Sequence, residues 1–502
     1  MNRTLRETDS RHKIRVYGTW ALLVFSPWIQ LAVISIIIGK NAFLTYPVWT
    51  DELDYWRSLF SWIHVGFPAG YNGIAEYPAS MGTLSVRGLT PILLYGGWAK
   101  LLGLEHYGIV LFNALWVSAA ALVFCALVRP GAGASLLMGA LLVCFAPAAL
   151  YVSTSMTEMF NYAILLFYAA FLFHTEKTGR LWSALLCWFT VVCACLYRVP
   201  YWVLFVPLIA VNSRWRFSFK TLWLSLAALV MAGASFMAMV SFSALSPGDF
   251  LYQWFRQEDP GLFLHMLVSH VKFNLNQYLA GKAGNLMEVA LRCLYCLAIG
   301  WTLLAAFFKA DKAGQKLSVS FRFHKEYMGY FLLLFVPFVL ILMFYTINDW
   351  FDFRMLSPFL WGVSAILAAR GKRLLPGTIL AGSVAMLSLL VILTPVGVFR
   401  EEHRFSPPPY REEIREACEA IVYNPDALDP FINTVRTDLF NYQVIRETDP
   451  AMGFFTGWFT TQNTGKSGWI LTDHLKIIVE GYENHYDAVG AKVYCYVNAY
   501  KK

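Results

Sequence analysis

Charge is what this sequence lacks first. Only 14% of its 502 residues are Asp, Glu, Lys or Arg, while 58% are hydrophobic. A water-soluble chain carries about 25% charged residues, so this one has too few to cover a wet surface. Blocks of like charge are missing as well. The net charge of +8 is scattered through short loops, which excludes the single basic face of a nucleic-acid binder. No internal repeat, low-complexity tract or heptad pattern runs through the chain. Cysteine is scarce outside apolar sequence: of the nine, only Cys418 and Cys495 sit in polar surroundings. The pairs Cys193/Cys195 and Cys293/Cys296 lack the partners of a metal site and read as packing residues. With the tail outside the cytoplasm, Cys418 and Cys495 become candidates for a disulfide.

Long apolar runs are what the sequence has instead. They fall near 17–38, 107–128, 134–152, 157–173, 182–197, 200–213, 221–243, 286–308, 329–347, 357–370 and 376–394. A bilayer core takes about 20 such residues per helix, whereas barrel strands alternate and leave no long runs. The expected fold class is a polytopic α-helical membrane protein of about eleven spans. Arg3, Arg6, Arg11, Lys13 and Arg15 precede the first run, and Gly39-Lys40-Asn41-Ala42 after it is a poor cleavage site. The run therefore reads as an uncleaved anchor, with residues 1–16 a cytoplasmic tail. Alternate loops then fall inside, and each is basic: Arg129; Lys177 and Arg180; Arg214, Arg216 and Lys220; Lys309, Lys312, Lys316, Arg322 and Lys325; Arg370, Lys372 and Arg373. That is the positive-inside pattern, and it places the C-terminus outside.

Three external segments are too long to be connectors: 39–106, 244–285 and 395–502. In the last, "PPPYREEIREACEAIVYN" reads as a helix, and "GWILTD" and "AKVYCYVNAY" as strands. The expected domains are a membrane module over 17–394 and a small α/β domain outside the membrane over 395–502. In the second external segment, 244–285, Gln253, Arg256, Glu258 and Asp259 are candidates to line an acceptor path; His265 and His270 read as structural, having no ligand set nearby.

The first segment opens with "YPVWTDELDYWRSLFSWIHVG", gathering Asp51, Glu52 and Asp54. The plain reading is an interfacial helix. Thr50 or Asp51 caps it and the acids offset its dipole, while Leu53, Trp56, Phe60 and Ile63 form one apolar stripe. A second amphipathic helix begins at Pro91 and carries Trp98. Two such surface helices would flank an acidic pocket at headgroup depth, a place for a lipid-linked substrate.

At this point the residues resemble a family, the GT-C glycosyltransferases, integral membrane enzymes that use polyprenyl-phosphate sugars. "DELDYW" is similar to the Asp-Glu-x-x-Tyr element of the aminoarabinose-transferring and protein-mannosylating branches. "YNGIAEYPASMGTLSVRGLTPILLYGGWAKLLG" resembles their Asn-Gly…Lys-Pro-Pro-Leu-x-Tyr-Trp segment, with Arg87 near the lysine and Pro91 alone for the pair. "STSMTEMFNYAILLF" resembles a helix opened by a small polar loop and an acid, here Glu158. "CLYRVPYWVLFVPL" resembles a Leu-Thr-(Lys/Arg)-x-Pro turn, giving Arg198. "YTINDWFDFRMLSPFL" is similar to an Arg-Tyr-x-x-Pro motif, giving Arg354, with Met355 for the tyrosine and Pro358 one residue late. Taken singly, Glu158 needs only a neighbouring cation, and Arg198 can snorkel from a helix end.

The resemblance implies a sugar moving from a polyprenyl-phosphate donor to a glycan, lipid or protein acceptor, in one inverting displacement. Such a reaction needs a base for the acceptor hydroxyl and cations for the departing phosphate. Asp51 is the expected base, with Glu52 orienting the acceptor or supporting the base. Arg87, Arg198 and Arg354 are expected on the phosphate, and Asp54, Tyr55, Glu158 and Asp352 on the substrates. No metal ligand set or cofactor is required, although "DELD" could hold a divalent cation. Membrane lipids are partners; nucleic acid is not. The competing reading is a transporter or flippase of a lipid-linked or small anionic or sugar substrate, against which stand sparse midplane polar residues and no paired broken helices. With no organellar targeting features, the expected location is a bacterial inner membrane, its active face periplasmic.

Overall fold

The computed structural model describes residues 14–65, 71–74, 77–81, 89–214, 216–242, 260–280, 286–313, 316–344, 354–393 and 404–406, with short strands of the tail and Arg446. Helix occupies most of the described part of every apolar run. The first is a bent pair, α1 (Ile14–Val24) and α2 (Ser26–Ile38), meeting at 63°. Pro27 has no N–H to offer the Leu23 carbonyl, and the Ser26 hydroxyl donates to it instead at 2.7 Å, which accounts for the bend. The external segment supplies α3 (Thr50–Val65) and α4 (Thr90–Leu102). There follow α5 (Gly108–Val128), α6 (Ala132–Cys144), α7 (Ala146–Tyr151), α8 (Glu158–Thr178), α9 (Leu181–Tyr197), a 3₁₀ turn (Val199–Leu204) running into α10 (Phe205–Asn212), and α11 (Phe219–Phe242). The chain continues through α12 (Pro260–Ala280), α13 (Leu286–Phe307), α14 (Lys325–Phe344), α15 (Ser357–Ala369) and α16 (Leu374–Leu393).

By length and apolarity, four helices among the described residues are fit to cross a bilayer, and the bent pair makes five. Of the other described helices, five offer apolar stretches of only 10–17 residues. At 1.5 Å per residue, the 13 residues of α15 reach only about 20 Å. That helix is buried from Ser357 to Ala368 and forms part of the interior.

Among the described residues, the loops sort into two sets. At one end Trp20 Nε1 donates to the Pro130 carbonyl at 2.8 Å, and Arg370 pairs with Glu176 at 2.7 Å and Glu326 at 2.8 Å. Gly133 packs on Arg373 there. At the other end the Thr45 hydroxyl donates to the Ser153 carbonyl at 2.7 Å, and Trp56 Nε1 to the Glu105 carbonyl at 3.1 Å. The 21 residues of α8 run between the ends, about 30 Å. The first set comprises loops the charge pattern puts together as basic; the second joins segments it puts on the other side, the one carrying the acidic cluster Asp51, Glu52 and Asp54 among them.

The acidic end differs from expectation at α3. Instead of one apolar stripe, residues 52–59 are buried without a break, because Val48, Trp49, Ser155 and Arg404 close over the start of the helix. Pro91 stands in the first turn of α4, as expected. Between α3 and α4 lies a hairpin absent from the sequence reading, β1 (Tyr71–Ile74) with β2 (Tyr77–Met81). A second hairpin, β3 (Phe308–Ala313) with β4 (Lys316–Phe321), occupies what read as a basic loop.

Strand β1 also pairs in parallel with β6 (Phe454–Thr456), which pairs with β5 (Val435–Arg436). The expected strands fall on β7 (Trp469–Thr472) and β9 (Ala491–Tyr496), with β8 (Tyr482–Ala488) antiparallel to β9. The expected tail helix over 407–424 lies outside the described residues, as do 253–259 and the side chains of Cys418 and Cys495. His270 Nε2 meets the Asn274 amide at 3.0 Å on α12. Arg292, an arginine inside an apolar run, donates to the Gln277 and Tyr278 carbonyls at 2.8 and 2.6 Å. It thereby satisfies carbonyls at the end of α12 that no helical N–H reaches.

Candidate active site

Four helices begin at one place. Asp51 lies in the first turn of α3 and Glu158 opens α8. Arg198 immediately precedes the 3₁₀ turn that leads into α10, and Arg354 stands three residues before α15. Pro200 and Pro358 sit in the opening turns of their helices, where a missing N–H costs nothing and φ is already helical. Arg198 is thus held in extended backbone just outside a helix start, and Arg354 stands just ahead of another.

Their side chains meet. Arg198 Nη2 donates to Glu158 Oε1 at 2.6 Å. Arg354 approaches the same oxygen with Nε at 3.8 Å, and Asp51 Oδ2 with Nη1 at 3.6 Å. Glu158 and Arg198 form a floor, 3% and 4% exposed, whereas Asp51 and Arg354 form a rim at 29% and 18%. Arg198 Nε and Nη1 are buried and have no acceptor among the described residues. Its guanidinium also lies 4.8 Å from the Tyr197 ring centre. Burial disfavours the Arg198 charge, but Tyr197 and Glu158 outweigh it and hold the group's pKa above its ordinary value.

Beneath the floor is a polar network that the sequence reading did not single out. Thr157 and Tyr197 share a hydroxyl contact at 2.6 Å, Asn161 Nδ2 donates to the Glu158 carbonyl at 2.9 Å, and the Tyr201 hydroxyl donates to Asn161 Oδ1 at 2.5 Å. All are buried. These tyrosines stand in apolar runs, where each reads as core; only the fold reveals that their hydroxyls converge.

Glu52 is adjacent but differently employed. Its Oε2 accepts the Val48 and Trp49 N–H groups, both at 2.9 Å. Its Oε1 accepts the Ser155 N–H at 2.6 Å and Arg404 Nη1 at 2.9 Å. Two backbone bonds reach back over the helix start, as a glutamate in a capping box does; the other two tie in a distant loop and the tail. With four donors on two buried oxygens, Glu52 has the geometry of a support. Arg404 carried no signal in the sequence beyond being one more charge in a polar tail.

Asp54 and Tyr55 point into the interior, each 1% exposed. Arg87 and Asp352 lie outside the described residues. The acidic run does not make a cation cage: Glu52 is taken up by N–H donors, and no three His, Cys, Asp or Glu groups converge among the described residues.

Electrostatically the site is poised. Two carboxylates balance two guanidiniums, and four helix N-termini add positive partial charge. Such termini receive phosphate through N–H groups and dipole together.

No family model matches the sequence, and no curated protein matches it. Among solved structures the chain is similar to ArnT from Cupriavidus metallidurans bound to undecaprenyl phosphate, at 11% identity and a TM-score of 0.35, over 94% of this chain and 98% of that one. It is also similar to the same protein in the apo state, at 10% identity and a TM-score of 0.38, over 93% and 97%. At these TM-scores the functional reading rests on the chain's own residues.

Proposed function

We propose that this chain is a membrane glycosyltransferase that moves a sugar from a polyprenyl-phosphate donor to an envelope glycan, lipid or protein acceptor. The observation that carries this reading is the meeting of Asp51, Glu158, Arg198 and Arg354 where four helices begin. A partly exposed carboxylate beside one arginine, with a second arginine held by the Glu158 that the first also approaches, is the arrangement that the reaction asks for, and the membrane end remote from the basic loops is where it would work, in a bacterial inner membrane.

The acceptor hydroxyl attacks the anomeric carbon, and Asp51 takes its proton. The bond from that carbon to the phosphate oxygen breaks, its electron pair leaving with the phosphate, so the anomeric centre inverts. No acid need protonate the leaving group, because a phosphate is already a stable anion. Arg354 and Arg198, with Arg87, receive its growing charge through ionised hydrogen bonds. Glu158 holds Arg198 in place, Glu52 anchors the turn that carries Asp51, Asp54 and Tyr55 pack that helix into the interior rather than face a substrate, and Asp352 stands as a substrate-side position.

The test is full-length protein in lipid vesicles, supplied with undecaprenyl-phosphate hexose or pentose labelled in the sugar and an envelope extract as acceptor. Transfer is expected. Asp51→Asn should lower it by about 100-fold or more at unchanged protein level and donor binding. Arg354→Ala should raise the donor KM by roughly tenfold or more. Uptake of label without bond cleavage would favour a transporter, and full transfer by Asp51→Asn would remove the base.

A further inference from the structure

We propose that Arg404, in the segment beyond the last apolar helix, is a positioning residue for Asp51: it holds Glu52, the next residue along α3, and so fixes where the base points. This deepens the glycosyl-transfer reading and rests on it.

The contact is of the strong kind. Arg404 Nη1 lies 2.9 Å from Glu52 Oε1, and both side chains are fully buried. Arg404 is itself pinned along the stretch that leads into α3. Its carbonyl accepts the Tyr46 N–H at 2.8 Å, its guanidinium lies 4.7 Å from the Trp49 ring centre, and the next ring, Phe405, lies 5.0 Å from Lys40 Nζ. Residues 404–405 therefore touch the chain at 40, 46, 49 and 52. That approach, 39–49, has no regular secondary structure to fix its path, so such contacts must do it. Asp51 falls between Trp49, which Arg404 covers, and Glu52, which Arg404 pairs.

Glu52 already accepts three backbone N–H groups, so the arginine is not needed to fill its oxygens. What it adds is a counter-charge and a second point of attachment from the far end of the chain. A base displaced by about 1 Å loses rate while the donor site stays whole.

Donor turnover by the full-length chain in vesicles tests this, with the labelled undecaprenyl-phosphate sugars as probe. Arg404→Met should lower kcat by about tenfold or more, with the donor KM held within about twofold, and Arg404→Lys should recover most of kcat. Wild-type kcat in Arg404→Met overturns the proposal. So does a kcat loss that only tracks a lower melting midpoint and is not recovered by lysine, since that is plain destabilisation. Melting of Glu52→Gln, Arg404→Met and the double variant gives an arm independent of activity: non-additive midpoints support the pair, and additive ones overturn it. Should the wild-type chain turn over no donor, the functional reading fails while this arm still reports on Arg404.

Discussion

Glu158 sits between two arginines, and its value is clearest from what its loss would leave. Arg198 is buried with Glu158 as its short contact. Two charges brought together out of water roughly balance their desolvation, whereas one left alone does not. Glu158→Gln is therefore expected to cost roughly 3–5 kcal/mol of stability, read as a lower melting midpoint of the detergent-solubilised protein. A wild-type midpoint would mean that another group neutralises Arg198. Legibility at this scale was uneven. Asp51, Glu158, Arg198 and Arg354 stand out because charge is rare in this sequence and each borders an apolar run. Thr157, Asn161, Tyr197 and Tyr201 were invisible, because a buried hydroxyl and a buried ring have the same letter code. Glu52 was legible as functional company for Asp51, but not as a four-donor anchor, since its partners come from positions 48, 49, 155 and 404.

Among the elements, α8 and α15 decide how far apart the two halves of the site stand, as one carries Glu158 and the other follows Arg354. They touch where Gly362 faces Leu165; a Cβ at Gly362 would lie 2.7 Å from Leu165 Cδ1 and 3.4 Å from its Cβ. The nearby Tyr162 and Trp361 rings pack edge to face at 5.4 Å, so the seam has little room to yield. Gly362→Val should cost about 1–3 kcal/mol through overpacking and widen the gap between Arg354 and Glu158. The expected readings are a lower melting midpoint and a raised donor KM, with Gly377→Ala, in open space, as the control that changes neither. Apolar period and proline placement made the helices readable, including the start of α4 at Pro91. The burial of α3 was not readable, because the lid over it comes from loops far away in sequence. The hairpins β1–β2 and β3–β4 were missed because each is short, and the Asn72-Gly73 pair, a usual turn signal, lies inside β1 instead of between its strands.

For the whole molecule, the division of loops into two sets is the property that the charge pattern predicted furthest in advance. It rests on bookkeeping of lysine and arginine along the chain, and the contacts at 20–130 and at 176–326–370 keep the same company. In a cysteine-free background, a single cysteine at Lys177 or Lys372 should react with an impermeant thiol reagent only from the side of the N-terminal tail. One at Glu105 should react only from the other side. All three native side chains are exposed, so silence at either face is interpretable. Labelling of positions 105 and 177 from one side would undo the arrangement. The number of crossings was less legible, since short apolar helices such as α6 and α15 have the composition of spans without their length.

The six charged residues that meet at and beside the site stand at 51, 52, 158, 198, 354 and 404, from early, middle and late in the chain. A ribosome that has delivered the first span soon makes Asp51 and Glu52, yet Arg404 emerges only when about four-fifths of the 502 residues have been made. On the proposed reading such a protein has no partly competent stage during synthesis, since the pairs Arg354–Asp51 and Arg404–Glu52 join early and late parts of the chain. The cluster is complete only late, when the segment beyond the last helix closes on the stretch that leads into α3.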